Sequence, residues 1–299
     1  MDYGHSSVLL HESLDALDLQ KGEIFVDGTL GSAGHTEEVL KRLGKDVRII
    51  GLDQDEDALE RARKRLKSYK SSITLVQDNF RHLDIVLDEL KIEKVDKILL
   101  DIGLSSNQFE ESGRGFSFQK DEPLGMTFKK KPGEEDLTAA MILNEWGEDT
   151  LETILRGYGE ETFARKIARA IVEYRELQPF RTTHQLVEVV KEATPGWYHH
   201  RKLHFATKTF QALRIAVNDE LEALKEGIQK GFERLESGGR IAVISFHSLE
   251  DRIVKNFFRD KHKEEEGILI TKRPITPGDK EITENRRARS AKLRVLQKK

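Results

Sequence analysis

Between an apolar run and a helical pattern stand ten residues: Asp27-Gly28-Thr29-Leu30-Gly31-Ser32-Ala33-Gly34-His35-Thr36. Glycines let the chain turn sharply and approach a ligand closely, and the start of the following helix offers free N–H donors. The spacing is G-x-x-G-x-x-G, not the G-x-G-x-x-G of dinucleotide enzymes, and no Gly-Lys-Ser/Thr follows to hold a triphosphate. An ordinary tight strand-to-helix turn would also use these residues. Asp53, 22 residues beyond Gly31, ends the next apolar run. A carboxylate there can accept two hydrogen bonds from ribose hydroxyls; alternatively it belongs with Asp55, Glu56 and Asp57 as solvated acids at a helix start. NAD and S-adenosylmethionine both carry adenosine, so Asp53 alone does not separate them.

Two further stretches sit at run ends. Asp78-Asn79-Phe80 follows the third run, where side chains could flank an adenine ring, although Phe80 also reads as core. Asp101-Ile102-Gly103-Leu104-Ser105-Ser106 ends the fourth, beside the switch point where reacting groups meet a cofactor in an open parallel sheet. His247 follows the fifth and reads as a base or as a hydrogen-bonded structural histidine.

The elements that must position these groups alternate. Strands are expected at 23–27, 47–53, 73–76 and 95–101, with helices at 34–43, 56–67 and 82–90 between them. Apolar strands separated by helices imply right-handed βαβ units and a parallel sheet covered on both faces. The pattern breaks from Gln108 to about Pro132, and Leu137–Ala193 reads as helical throughout. There Phe163, Ile167, Ile171 and Tyr174 form an apolar stripe, with Arg165, Lys166, Arg169 and Arg175 elsewhere around the helix. Thr194–Lys202 reads as a loop whose aromatics and histidines are partly packed, with base stacking the alternative. The spacing of Phe210, Leu213, Val217, Leu221, Leu224, Ile228 and Phe232 predicts one long amphipathic helix, ended by Gly238-Gly239. A strand at 240–246, a helix at 249–258 capped by Ser248, and strands at 268–272 and 292–297 complete the count of seven strands.

Composition excludes several chemistries. The 299 residues contain no cysteine, so disulfides, thiolate metal sites and cysteine nucleophiles are out, and no metal is expected. No run approaches the roughly 20 apolar residues of a membrane helix, and Met1–His5 lacks the basic start of a signal peptide. A soluble, cytoplasmic protein is the expectation. Net charge is −3, yet Glu281–Lys299 carries seven Lys/Arg against two Glu. That run is a solvated face or a phosphate-binding patch.

The stretches HSSVLLHE, FVDGTLGSAGHT, DIGLSSNQFE, GRGFSF, YGEETFARKIARAIVE, TFQALRIAVNDELE, ISFHSLEDRIVK and NRRARSAKLRVL resemble, in order and over nearly the whole chain, the RsmH (MraW) family of bacterial 16S rRNA cytosine-N4 methyltransferases. The resemblance implies an α/β fold: a class I, Rossmann-like methyltransferase core with a seven-stranded, mostly parallel sheet, in two stretches (1–110 and 206–299). A mostly helical domain at 111–205 would be inserted on the RNA-substrate side. It implies S-adenosyl-L-methionine as cofactor and a decoding-site cytidine of 16S rRNA in the small ribosomal subunit as target.

Carried onto this sequence, the cofactor site comprises Ala33, Gly34 and His35, with Asp53 at the ribose, Phe80 by the adenine, and Asp101 and Gln108 completing it. Ala33 stands where many relatives have glycine, which a backbone contact tolerates if φ is negative. Pro123–Phe128 (PLGMTF) departs from the family pattern and receives no role.

A cytosine amine is a poor nucleophile because its lone pair is conjugated with the ring. It must be aligned with the methyl donor, and its N–H groups need an acceptor as it becomes tetrahedral. Asp101 is the first candidate for that acceptor, with Ser105 and Ser106 behind it. The base must be flipped out or already unpaired. Rival readings are an NAD-dependent oxidoreductase, a methyltransferase for protein or a small molecule, and a non-enzymatic RNA-binding assembly factor.

Overall fold

The computed structural model describes residues 7–105, 108–109, 112–130, 132–133 and 135–299. The chain opens with α1 (Leu10–Leu17), β1 (Ile24–Asp27), α2 (Gly34–Leu43), β2 (Arg48–Leu52), α3 (Glu56–Arg65), β3 (Ile73–Val76), α4 (Leu83–Glu89) and β4 (Val95–Asp101). Helices α5 (Ala139–Glu145), α6 (Glu148–Gly157), α7 (Ala164–Leu177), α8 (Thr183–Ala193), α9 (Gly196–His199) and α10 (Thr207–Asn218) follow. The chain then runs through α11 (Glu220–Arg234), β5 (Leu235–Ser245), α12 (Ser248–Lys263), β6 (Gly267–Leu269), α13 (Asp279–Glu284) and β7 (Lys292–Lys298). Packing divides it into two units, Met1–Gly103 with Leu221–Lys299, and Leu104–Glu220.

In the first unit the strand order is β3-β2-β1-β4-β5-β7-β6. Strands β3, β2, β1, β4 and β5 run parallel, and β7 is antiparallel to both neighbours. Alternation along each strand sends side chains to opposite faces. Phe25, Ile49 and Leu99 pack with Val39 and Leu40 on one face, while Val26, Ile50 and Ile98 pack with Leu224, Ile228 and Phe232 on the other. The sheet is therefore buried on both sides, and its strands read as unbroken apolar runs.

Three local expectations are corrected. The single helix expected from Phe210 to Phe232 is two, because Asp219 adopts the left-handed conformation (φ 48°) and closes α10. Phe210 and Leu213 belong to the core of the second unit; Leu224 and Phe232 belong to the first. Unbroken helical spacing cannot reveal a one-residue break, and the units accordingly divide after Glu220 rather than near 205. Gly238-Gly239 does not end a helix but lies within β5, where the pairing jumps from Val95↔Leu235 to Lys97↔Arg240. A Cβ on Gly239 would stand 2.8 Å from the Asp96 carbonyl oxygen, so the bulge needs glycine there. Finally, α12 is capped by His247, one residue before the expected Ser248, and runs on to Lys263.

The second unit is a helical bundle with its own core, including Leu143, Leu151, Ile167, Ile171, Leu186 and Phe210. The region expected to be helical throughout is broken into separate helices. Pro123–Phe128, given no role from sequence, supplies Leu124, Met126 and Phe128 to that core. Asn218 fastens it: its Oδ1 accepts the Phe128 N–H (2.9 Å) and its Nδ2 donates to the Met126 carbonyl (2.7 Å). Arg175 is also structural, donating to the Leu143 and Trp146 carbonyls at 2.9 and 2.6 Å. In the expected loop 194–202, Tyr198 is buried with its hydroxyl on Glu161, whereas Trp197 is 61% exposed.

Candidate active site at the carboxyl edge of the sheet

The loop from β1 to α2 turns where two glycines permit it. A Cβ at Gly28 would stand 2.5 Å from Leu100 Cδ2 on β4 and 3.3 Å from Phe80 Cβ, so a side chain there would have to push buried Leu100 aside. Gly31 has φ 53°, and its N–H donates to Asp53 Oδ2 at 2.8 Å. Gly34 opens α2 against Ser7, whose hydroxyl occupies the place a Cβ would need. Ala33 has φ 61°. The condition that made alanine comfortable there, a negative φ, is not met, and a left-handed alanine carries about 1–2 kcal/mol of steric cost.

Side chains at the strand ends hold the loop from below. Asp27, at the end of β1, is almost fully buried and accepts the Thr36 hydroxyl at 2.7 Å. Thr29 Oγ1 accepts the Asp101 N–H at 2.6 Å, tying the loop to the end of β4. His35 is buried, with Nε2 3.2 Å from the Val8 carbonyl oxygen and Nδ1 4.0 Å from Asp101 Oδ2. With the proton on Nε2, Nδ1 turns a lone pair toward Asp101.

Asp53 is held on both oxygens, by Gly31 N–H at 2.8 Å and by Asp55 N–H at 2.9 Å. Burial still pushes it up to about 6, against the pull of those N–H groups and Arg61. Burial likewise brings Asp27 to about 6. Asp101 is displaced furthest: burial, then the charges of Asp27 and Glu250, push it up to about 8. Its Oδ1 is buried and accepts no hydrogen bond among the described residues.

Phe80 starts a short 3₁₀ turn at the end of β3, and its ring lies against Gly227 of α11, where a Cβ would collide with it. Phe80 follows β3, and it is partly buried against the core on that face of the sheet. His247 serves as the cap of α12: its Nδ1 accepts the Glu250 N–H (3.4 Å), while Glu250 Oε2 accepts the N–H groups of Phe246 (2.8 Å) and His247 (3.3 Å).

The strand ends thus gather Ala33, Gly34, His35, Asp53, Phe80 and Asp101 along one edge of the sheet. Ser105 and Gln108 belong to the second unit, where they cap one another. Gln108 Oε1 accepts the Ser105 N–H at 3.1 Å, and Ser105 Oγ accepts the Gln108 N–H at 3.2 Å. That is the Ser-x-x-Gln capping box. Ser106 lies outside the described residues. Sequence reasoning passed over Thr29, Thr36 and Glu250. The last was legible, since His247-x-x-Glu250 has the spacing of a helix cap and its third residue.

The family model described as the MraW methylase family matches residues 2–299. The chain belongs to the MraW methylase family. A ribosomal RNA small subunit methyltransferase H from Clostridium botulinum (strain Kyoto / Type A2) is 45% identical over 313 residues, covering 100% of both chains. Proteins of the same name from Brevibacillus brevis and Halothermothrix orenii are 43% and 44% identical, covering 100% and 98% of this chain and 99% and 98% of theirs. Among solved structures, an rRNA methylase from Streptococcus thermophilus has a TM-score of 0.47 at 14% identity, covering 98% of each chain. As an MraW methylase with the Rossmann-like, class I sheet, the protein uses S-adenosyl-L-methionine.

The site suits that cofactor on its own terms. The edge offers a glycine loop with little room for side chains at Gly28 and Gly34, and the carboxylate of Asp53 at the end of β2. Asp27, Asp101 and Glu250 form an acidic group whose mutual repulsion a cationic ligand relieves. Among the described residues no cluster of three His, Asp or Glu is arranged to hold a metal ion, and no helix is long and apolar enough to cross a membrane.

Proposed function

We propose that this MraW methylase transfers a methyl group to the exocyclic N4 amine of a decoding-site cytidine in 16S rRNA of the small ribosomal subunit, in the cytoplasm. Its full-length relatives at 42–45% identity carry the name ribosomal RNA small subunit methyltransferase H, which supports the substrate class. The observation that carries the chemistry is the unpartnered Oδ1 of Asp101 at the end of β4.

When bound, S-adenosyl-L-methionine supplies an electrophilic methyl on a positively charged sulfur. Ala33, Gly34 and His35 would meet it with the loop, Asp53 with the acceptors for its ribose and Phe80 with a ring edge beside its adenine; Gln108 is a candidate contact carried over from the family. Asp101 would accept an N–H of the target amine, orienting the lone pair and drawing off positive charge as the nitrogen becomes tetrahedral. A free acceptor in a buried place is what that task needs, because an oxygen already committed to the fold could not turn to the substrate. Ser105 stands behind Asp101 in this assignment because its hydroxyl already serves the cap with Gln108. The helical unit is assigned to the RNA side, together with the exposed cations of the 3₁₀ turn Arg286–Ser290.

The test is to supply radiolabelled S-adenosyl-L-methionine and small ribosomal subunits from cells lacking this gene, digest the RNA and identify the labelled nucleoside. N4-methylated cytidine is expected. Label on another nucleoside would overturn the target atom, and label on protein would overturn the substrate class.

A further inference from the structure

A cavity of about 370 Å³ opens beside the reacting edge, walled in part by Phe246, Ser248, Thr276, Arg289, Ser290 and Lys292. Among the described residues no acidic side chain lines it. Two cations, three hydroxyls, the Phe246 ring, the His247 imidazole and the Ala291 methyl make its surface. Phe246 connects it to the site already described. The Phe246 ring lies 3.4 Å from where a Cβ on Gly103 would stand, two residues past Asp101.

The two cations differ. Lys292 Nζ is 3.1 Å from Asp251, which Arg294 also holds at 2.7 Å, so Lys292 is largely committed to the fold. Arg289 is exposed and makes no hydrogen bond or ion pair among the described residues. A guanidinium standing free at the mouth of a pocket is a fork of donors without an acceptor, and phosphate oxygens match that fork. The N–H groups of Phe246, His247 and Glu250 are taken by the cap, so the recognition rests on side chains and not on the helix end. The volume falls in the roughly 300–1,000 Å³ of small-ligand sites, larger than an isolated anion needs. It leaves room for a sugar against Phe246.

We propose that this cavity seats a ribose-phosphate of the RNA strand next to the target nucleotide, with Arg289 gripping the phosphate and Ser248, Ser290 and Thr276 supplying hydroxyl contacts. The assignment rests on the rRNA reading above. One phosphate held here would fix the strand while the target base reaches the acceptor at Asp101. The seat would contribute to binding and register, and leave the chemical step to the groups at the strand ends.

The experiment measures methyl transfer to small subunits lacking the modification for the wild type, Arg289→Gln, Arg289→Lys and Lys255→Gln. Lys255 is an exposed cation of α12 two turns past the cavity, and its variant removes the same charge. Arg289→Gln is expected to raise KM for subunits about tenfold, with kcat and cofactor Kd within twofold, and to lower the log–log salt slope of binding by about 1. Arg289→Lys should recover part of the loss, and Lys255→Gln should change KM less than twofold. An Arg289→Gln enzyme that matches either the wild type or Lys255→Gln would overturn the seat while leaving the rRNA reading intact. Were Arg289→Gln to abolish inhibition by inorganic phosphate with KM for subunits unchanged, the cavity would be a free-anion site and the RNA assignment would fail. A wild type that transfers no methyl to subunits would overturn the underlying reading and the seat together.

Discussion

Asp53 and Asp101 stand at the ends of β2 and β4, the strands on either side of β1, yet the fold treats them oppositely. Asp53 has a backbone N–H on each oxygen, and these hold it in one orientation before any ligand arrives. Asp101 has a buried oxygen with no donor among the described residues, two acids nearby and a pKa pushed up to about 8. The first has its geometry fixed by the fold, which suits the binding role proposed for it. The second keeps hydrogen-bonding capacity in reserve among the described residues, which suits the acceptor role proposed for it. A site can combine both because the stable remainder of the edge, with Thr29 on the Asp101 N–H and Thr36 on Asp27, keeps the unsatisfied group in place.

The contrast is broken most directly at Asp101. Asp101→Asn should lower kcat about 10²–10³-fold, the usual effect of removing one group aimed at developing charge. Cofactor Kd measured by calorimetry should move much less. A variant with wild-type kcat would remove Asp101 from the chemistry.

Asp53→Asn should do the reverse, because an amide turns one acceptor into a donor facing a backbone N–H. Its cofactor Kd should rise about 10–100-fold, corresponding to one or two charged hydrogen bonds, while kcat at saturating cofactor stays within a few-fold. If both variants lose kcat and affinity alike, the division of labour is wrong.

A third effect is read in stability. The folded pKa of Asp101, about 8, lies above its ordinary 3.8, so the fold favours the neutral acid. Its contribution is fully present below the ordinary value and is lost as pH rises through about 8. Asp101→Asn escapes that loss. The variant should therefore gain on the wild type across pH 4–8, reaching about 2–3 kcal/mol in denaturant unfolding at pH 9. That is less than the full shift would give, because 24% of the side chain is exposed. A constant difference between the two proteins over this range would show that Asp101 titrates normally.

The smallest change is expected at the loop. Ala33→Gly relieves about 1–2 kcal/mol of left-handed strain but forfeits about 0.8 kcal/mol for a buried methyl. A net gain near 0.5 kcal/mol with unchanged cofactor Kd is expected from thermal unfolding. A loss above about 1 kcal/mol would show that packing of the alanine outweighs its φ.

Legibility differs along the chain for physical reasons. From β1 to β4 the chain was readable almost to the residue: α2, β3 and β4 begin and end where the pattern predicts, whereas α1 was not anticipated. Each strand there is apolar on both faces and bounded by polar turns, so local composition and burial agree. The same logic failed between Phe210 and Phe232, where one continuous apolar spacing serves two different cores across the break at Asp219. It failed again at Gly238-Gly239, because a glycine pair marks a helix end and a strand bulge equally well. The C-terminal cations show a third limit. Read as a solvated run or a phosphate patch, they include Lys292 and Arg294 locked onto Asp251 and Lys298 donating to the Glu233 and Leu235 carbonyls.

The sequence by itself determined the alternation of strands and helices, the glycine loop, and the carboxylates at the ends of β2 and β4, because turn chemistry and apolar runs act over a few residues. Tertiary structure alone decided that Thr29 and Thr36 brace the loop and that, among the described residues, Asp101 keeps an oxygen without a donor. It also left Arg289 free beside a cavity while its neighbours were paired. Those outcomes depend on which groups from distant parts of the chain reach each other first, and a linear pattern carries no record of a partner some 70 residues away.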